Sequence, residues 1–295
     1  MARGRGRNYS RKRAVAEKVM RVVYGSGWPG RAWGRLPGRS VVDLIQHQLP
    51  ILPPSPEAFA PSVSSGANRS LRVAFASDLH IGPLTAPATL DNAFALLAAA
   101  RPDVLLLGGD YVFLDATPAL AQELERRVAG VPAGVKLAVL GNHDLWTRHD
   151  LIEAALESAG ARVLINQGLR LPAPFQDVAF IGLDDCWAGD ADAGAALAQV
   201  PGAALTLALA HSPEALPLLA RRGLAFLWCG HTHGGQIALP SGPIVVHGPH
   251  GRRFPSGVNS LGDLPFFVSR GVGMVELPFR AYARPDVSVF TLTAA

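Results

Sequence analysis

The chain has 295 residues, 49% of them apolar, enough to bury the core of one large domain or two small ones. Its two cysteines, Cys186 and Cys229, exclude a disulfide scaffold and a thiolate zinc site and make a reducing compartment the default expectation. The net charge of +4 conceals a segregation: residues 1–39 carry eleven Lys or Arg and one acid, Glu17, so the rest of the chain is mildly acidic and the overall charge says little about its partners.

The chain falls into a basic arm over 1–48, a linker over 49–70 and a body over 71–295. No run of about 18 apolar residues occurs, so no transmembrane helix is predicted. Ser10-Arg11-Lys12-Arg13 is a poor match to a twin-arginine export signal, because Glu17, Lys18 and Arg21 interrupt the apolar stretch that should follow; a cytoplasmic location is expected. Ala14 to Tyr24 can form a helix with Val15, Val19, Val22 and Val23 on one side and Glu17, Lys18 and Arg21 largely on the other. With Trp28 and Trp33 following, such a helix suits the anionic interface of the cytoplasmic membrane face, where Trp sits at headgroup level. A disordered cationic tail and a nonspecific nucleic-acid contact are the alternatives, although the arm lacks the aromatic platforms of specific readout.

From Leu49 to Ser70 the composition turns to Pro, Ser, Ala and Gly, which reads as an extended linker. Beyond it, strands are expected over 71–77, 104–107, 137–140, 178–182, 204–210 and 224–229, and helices over 87–100, 118–128, 150–159 and 213–220, several opened by proline. The last third, over 235–246, 265–269 and 287–292, is richer in strands. This α/β order with a β-rich end points to two packed sheets flanked by helices.

Each candidate ligand follows a predicted strand, where a sheet edge delivers side chains into a crevice. Asp78 and His80 close the first strand; two residues apart on an extended chain, they can reach one ion. Gly108-Gly109-Asp110 places a carboxylate where it could bridge two cations. In Gly141-Asn142-His143-Asp144 the Asn amide oxygen is a neutral hard ligand, and His143 stays free to donate a proton. His211 ends another strand, and Gly230-His231-Thr232-His233 ends the next. Singly these are ordinary turn or cap residues; together Asp78, His80, Asp110, Asn142, His211, His231 and His233 make a mixed nitrogen and oxygen site for manganese, iron or zinc.

These five blocks, in this order, resemble the calcineurin-like metallophosphoesterase superfamily. Gly182-Leu183-Asp184-Asp185, Gly234-Gly235-Gln236-Ile237 with Pro240, Ser269-Arg270-Gly271-Val272-Gly273, Leu277-Pro278-Phe279-Arg280 and Arg284-Pro285-Asp286 are similar to its bacterial membrane-associated phosphodiesterases related to UDP-diacylglucosamine pyrophosphatases. The resemblance implies a four-layer α/β/β/α sandwich. It implies two divalent ions, manganese ahead of zinc or iron, one held by Asp78, His80, Asp110 and His233 and the other by Asp110, Asn142, His211 and His231. A hydroxide between the ions would attack phosphorus in line while His143 contacts the phosphate and protonates the departing oxygen. The resemblance also departs from the protein Ser/Thr phosphatase branch: Phe113 stands where that branch has the Asp that orients the catalytic His, and no Arg follows. Asp144 or Asp115 is offered as the partner of His143, and Arg270 and Arg280 are offered as phosphate clamps. Met274, Val275 and Glu276 replace a stretch expected to be smaller or more polar, so specificity is expected to differ.

The expected activity is that of a phosphodiesterase or pyrophosphatase on a lipid-linked or nucleotide-lipid substrate such as UDP-diacylglucosamine, at an anionic membrane surface. A non-catalytic, metal-stabilised membrane adaptor and a nuclease using the basic arm are the alternatives.

Overall fold

The computed structural model describes residues 4–54 and 69–294. In chain order the main elements are α1 (Arg11–Tyr24), α2 (Trp28–Arg35), β1 (Asp43–Leu52), β2 (Ser70–Ala76), α3 (Pro87–Ala100), β3 (Val104–Leu107), α4 (Pro118–Ala129) and β4 (Val135–Ala138). There follow α5 (Asn142–Trp146), α6 (His149–Ser158), β5 (Ala161–Val163), β6 (Gln167–Arg170), β7 (Val178–Gly182), α7 (Ala193–Leu197), β8 (Leu205–Leu209), α8 (Leu216–Leu219) and β9 (Phe226–Cys229). The chain closes with β10 (Ala238–Leu239), β11 (Gly242–Pro243), α9 (Pro249–Arg253), β12 (Gly257–Leu261), β13 (Leu264–Val268) and β14 (Asp286–Ala294).

Two six-stranded mixed sheets face each other, ordered β1-β14-β2-β3-β4-β5 and β12-β13-β9-β8-β7-β6. Strand periodicity explains why they pack. Leu71, Val73 and Phe75 of β2 point between the sheets with Leu207 and Leu209 of β8, Phe226 and Trp228 of β9, and Phe290 of β14. Their alternate neighbours Ala74 and Ala76 face outward beneath α3, α4 and α6, where Leu97, Leu124, Val128, Ile152 and Leu156 cover them. On the far side Ala208, Leu227 and Cys229 meet Ala196 of α7 and Leu216 and Leu219 of α8. The result is the four-layer α/β/β/α sandwich with two mixed sheets.

The boundaries shift for local reasons. The helix expected over 213–220 is a 3-10 turn at Pro213–Ala215 followed by α8, because Pro217 has no N–H to continue a longer ladder. The linker expected from Leu49 starts too early, since Leu49 to Leu52 belong to β1, which pairs in parallel with β14. Ile45, Leu49 and Ile51 pack toward the inter-sheet core. Pro50 obscured this strand, yet an edge strand tolerates a residue that cannot donate on its open side. Residues 55–68 of the expected linker lie outside the described residues.

The basic arm carries the expected helix as α1. It is folded onto the body, and α1 is turned the other way round from an ordinary surface helix: Glu17 is only 4% exposed, whereas Val15, Val19, Val22 and Val23 face outward. Arg21 pairs with Asp115 through Nη2 at 2.9 Å, and Met20, Tyr24 and Trp33 pack on Leu84, Phe113 and Met274. No helix among the described residues is long and apolar enough to cross a membrane.

Phe290 joins β14 to the opposite sheet through Trp228, with ring centroids 5.4 Å apart. Phe290→Ala is expected to cost about 3–5 kcal/mol, as for other buried aromatic truncations. Equilibrium urea unfolding measures it, and a cost under about 1 kcal/mol would show that the inter-sheet core does not depend on this ring.

Candidate metal centre and active site

The C-terminal ends of β2, β3 and β4 in one sheet and of β8 and β9 in the other converge on one crevice. β2, β3 and β4 run parallel, as do β8 and β9, so each delivers its ligand loop to the same side. Asp78 and His80 follow β2, Asp110 follows β3, Asn142 and His143 open α5, His211 follows β8, and His231 and His233 follow β9.

The side chains meet closely. His80 Nε2 is 3.1 Å from His233 Nε2 and 3.7 Å from Asp110 Oδ2, and His233 Nε2 is 3.4 Å from Asp78 Oδ1. On the other flank His211 Nε2 is 3.3 Å from Asp110 Oδ2 and 3.2 Å from His231 Nδ1. Two groups that could each hold an ion result: Asp78 with His80 and His233, and Asp110 with His211 and His231. Asp110 also closes a third group with His80 and His143 and so stands between the others. Asn142 Oδ1 is buried without a hydrogen-bond partner among the described residues. A cation is the kind of partner that satisfies such an oxygen, and the set of two carboxylates, one amide oxygen and imidazoles fits divalent transition ions.

The backbone is strained at the same places. Asp78, His80, Asp110, His231 and His233 all adopt positive φ, from 40° to 70°, a conformation costing on the order of 1–3 kcal/mol per residue and held only where the surroundings over-determine it. Here they do. Asp78 N–H donates to Gly109 O and His80 N–H to Asp110 O, and His231 N–H donates to Asp78 Oδ2 at 3.0 Å. Gly230 matters because a Cβ there would overlap Ser77 Oγ and Asp78 Oδ2. The buried Asp144 carboxylate then accepts N–H groups from Asp110, Tyr111 and Gly141 at 2.7, 2.8 and 2.9 Å, fixing the turn that carries Asp110 against the one that carries Asn142.

Charge follows burial. Desolvation pushes His80 and His231 down to about 3, which leaves each imidazole neutral with a lone pair to offer. His143 is likewise held well below its ordinary value, by burial against the pull of Asp110 and with the help of the Arg13 cation. His211 goes up despite its burial, because Asp110 attracts a proton onto it; its Nδ1 lies 2.7 Å from Gly108 O, which leaves Nε2 facing the centre. Burial and the neighbouring Asp110 raise Asp144 to about 8, against backbone donors that favour its ionised form.

The structure brings together all seven expected ligands and His143, but it relocates the supporting residues. Asp144 is committed to the three backbone N–H groups and Asp115 to Arg21, so neither orients His143. The His143 backbone N–H donates to Asp110 Oδ1 at 2.9 Å, and its ring packs among Phe113, Trp146 and His80. The expected phosphate clamps are engaged elsewhere. Arg270 pairs with Asp286 and Asp43; Arg280 is buried and donates to the carbonyls of Gly273, Arg270 and Ala283 and to His233 Nδ1. Asp184 accepts Arg5 in a bidentate pair at 2.6 and 2.8 Å, and Asp185 caps the turn at Trp187 and Ala188. His250 is bonded to Glu214 at 3.0 Å, whereas His247 borders the crevice.

The crevice encloses about 560 Å³. Asn8, Ser10 and Arg13 of the basic arm form one of its walls, and Ile244, Val245 and Leu277 line it from the opposite end of the chain. The arm is fastened there by Gly6 N–H to Leu145 O, Arg7 N–H to Ala188 O and Trp146 Nε1 to Arg7 O. Sequence reading missed this wall because no local pattern links residues 5–13 to loops 130 or more positions away.

A sandwich whose two parallel strand sets end in a shared carboxylate and four imidazoles is the frame of a metal-dependent phosphoric ester hydrolase. Residues 71–235 match the family model for the calcineurin-like phosphoesterases, and the chain belongs to that family. It is 30% identical over 257 residues to Phosphodiesterase YaeI of Escherichia coli (strain K12), covering 85% of this chain and 88% of that protein. It is 29% identical over 221 residues to the uncharacterized metallophosphoesterase YkuE of Bacillus subtilis (strain 168), covering 73% and 77%. A solved structure, TT1561 of Thermus thermophilus, is similar over 69% of this chain and 91% of that one, with a TM-score of 0.47 and 11% identity.

Asp144→Ala leaves three buried N–H groups without an acceptor and frees the Asp110 turn. Metal affinity is expected to fall about 10–100-fold, the usual penalty for removing a residue that orients ligands. Calorimetric titration with manganese and zinc checks this, and an affinity within twofold of wild type would show that the turn holds its shape without the carboxylate.

Proposed function

We propose that this protein is a dinuclear metal-dependent phosphodiesterase or pyrophosphatase whose substrate carries an apolar part and is met at an anionic membrane surface. The observation that carries the chemistry is Asp110 standing between two ligand groups, with Asn142 Oδ1, unpartnered among the described residues, beside them. Asp78, His80, Asp110 and His233 would hold one divalent ion and Asp110, Asn142, His211 and His231 the other, manganese ahead of zinc or iron. Two such ions, when bound, supply positive charge against the phosphoryl oxygens and lower the pKa of water enough to provide a nucleophile near neutral pH.

The chain's own residues do the rest. His143 presents its ring to the phosphoryl group and passes a proton to the departing oxygen. Burial and the Arg13 charge hold its proton affinity down, and an anionic phosphoryl group beside the pair would offset the second of these. The name of the Escherichia coli relative supports cleavage of a diester.

Two exposed apolar surfaces support the membrane reading. The outward face of α1 carries Val15, Val19, Val22 and Val23 beside exposed Arg11, Lys12 and Lys18. The crevice rim carries exposed Ile244, Val245 and Leu277. Apolar residues interleaved with cations suit an anionic lipid interface, and an apolar rim suits a substrate such as UDP-diacylglucosamine.

The chemistry is tested with the full chain loaded with manganese, zinc or magnesium and offered a model diester, a model monoester and UDP-diacylglucosamine. Diester or pyrophosphate cleavage that stops on chelation is expected, with His143→Gln lowering kcat by about 10²–10⁴ and Asp110→Ala and His231→Ala abolishing turnover. Full metal-dependent turnover in Asp110→Ala would refute the assignment, and two bound metals without cleavage of any substrate would favour a non-catalytic adaptor. For the membrane contact, the double variant Val19→Asp with Val22→Asp is expected to stop co-sedimentation with phosphatidylglycerol vesicles. Unchanged sedimentation would remove α1 from the interface.

A further inference from the structure

A phosphoryl group at this centre presents anionic oxygens to the crevice as well as to the metal ligands. Among the described residues that line the crevice, Arg13 is the one Lys or Arg. Its Nη2 is 3.3 Å from both ring nitrogens of His143, and His143 offers a nitrogen within 4.8 Å of ligand atoms on His80 and Asp110. A phosphoryl group in contact with His143 is therefore within reach of the guanidinium.

The side chain is held there by defined contacts. Its guanidinium stacks 4.4 Å above the ring of Trp146, Nε donates to Glu17 Oε1 at 2.9 Å, and Nη1 donates to the exposed Glu276 at 3.2 Å. Three of its five N–H donors thus have partners among the described residues, and one on each Nη remains for oxygens in the crevice. Glu17 is itself fixed by Tyr9 Oη at 2.6 Å and by Arg21 at 3.2 Å. The buried Glu17 carboxylate, shared with Arg21, thus anchors Arg13 at the crevice wall.

We propose that Arg13 is a phosphate-binding residue of the active site, carried into it by α1 from outside the family-matched residues, and that Glu17 is the residue that positions it. The inference rests on the reading of the crevice as a phosphoesterase centre. It makes the basic arm part of the catalytic unit: a fork of two N–H groups grips non-bridging oxygens, and the arm's wall limits which leaving groups fit beside His143.

The probe is inorganic phosphate, titrated calorimetrically into the metal-loaded full chain, with kcat and KM for a model diester measured in parallel. Arg13→Met keeps an unbranched stem on Trp146 and removes the guanidinium. It is expected to weaken phosphate binding at least tenfold and raise KM comparably, with metal stoichiometry unchanged. Arg13→Lys keeps the charge without the fork and is expected to lose at least threefold, which gives the answer if the Met variant does not fold. Glu17→Gln is expected to weaken phosphate binding in the wild-type background and to add nothing in the Arg13→Met background, because it acts through Arg13. Phosphate affinity within twofold of wild type in both Arg13 variants overturns the assignment while the phosphoesterase reading stands, and an equal Glu17→Gln effect in both backgrounds overturns the positioning role. Failure of the wild-type chain to bind any metal overturns the underlying reading and this inference with it.

Discussion

The Asp110 carboxylate can serve two ligand groups only because its backbone is pinned in a left-handed turn that the chain resists. Its φ is 56°, and its N–H is taken by Asp144 Oδ2 at 2.7 Å, while its own Oδ1 accepts the His143 N–H at 2.9 Å. Remove either bond and the loops after β3 and β4 lose their common reference, and with it the spacing between the two imidazole groups. Four further candidate ligands with positive φ lie on loops tied to this one, so local strain is spread over a network of hydrogen bonds around the crevice. The rigid inter-sheet core below, with Phe75, Trp228 and Phe290, provides the stiffness that keeps such loops in place.

The basic arm shows the same physics with opposite polarity. A helix docks the face that gains most on burial, and in α1 that face is ionic: Glu17 gathers Tyr9, Arg13 and Arg21, and Arg21 reaches Asp115. Burying a charge without partners is costly, so Glu17 can be inside only because these partners come with it. The valines are left outside. One helix therefore turns a polar face to the body and the crevice and an apolar face outward.

Arg270 and Arg280 are instructive by contrast. Both occur in segments that resemble a phosphodiesterase branch, and both carry the chemistry suited to phosphate. Yet Arg280 spends its donors on carbonyl groups of the loop that follows β13, and Arg270 ties that loop to Asp286 and to Asp43 at the start of β1. Residue type specified a cation with a planar fork, but the acceptor was decided by which groups lay within reach. The arginine that does face the crevice comes from a segment with no motif at all.

What the sequence determined by itself was local. Apolar runs at Val104–Leu107 and Val178–Gly182 read directly as buried strands, and the candidate ligands Asp78, His80, Asp110, Asn142, His211, His231 and His233 were legible because each lies within a few residues of a strand end. The layering followed from the alternation of helix and strand. Tertiary structure alone decided the rest. Periodicity shows that α1 has two faces but not which one meets the body, since that depends on Asp115, Trp146 and Glu276, far away in the chain. The strand β1 was hidden by Pro50 and shown only by its partner β14, more than 200 residues on. Arg13 and His143 are separated by 130 positions and meet at 3.3 Å; no local spacing rule reaches that far, because such a contact is fixed by the packing of whole elements.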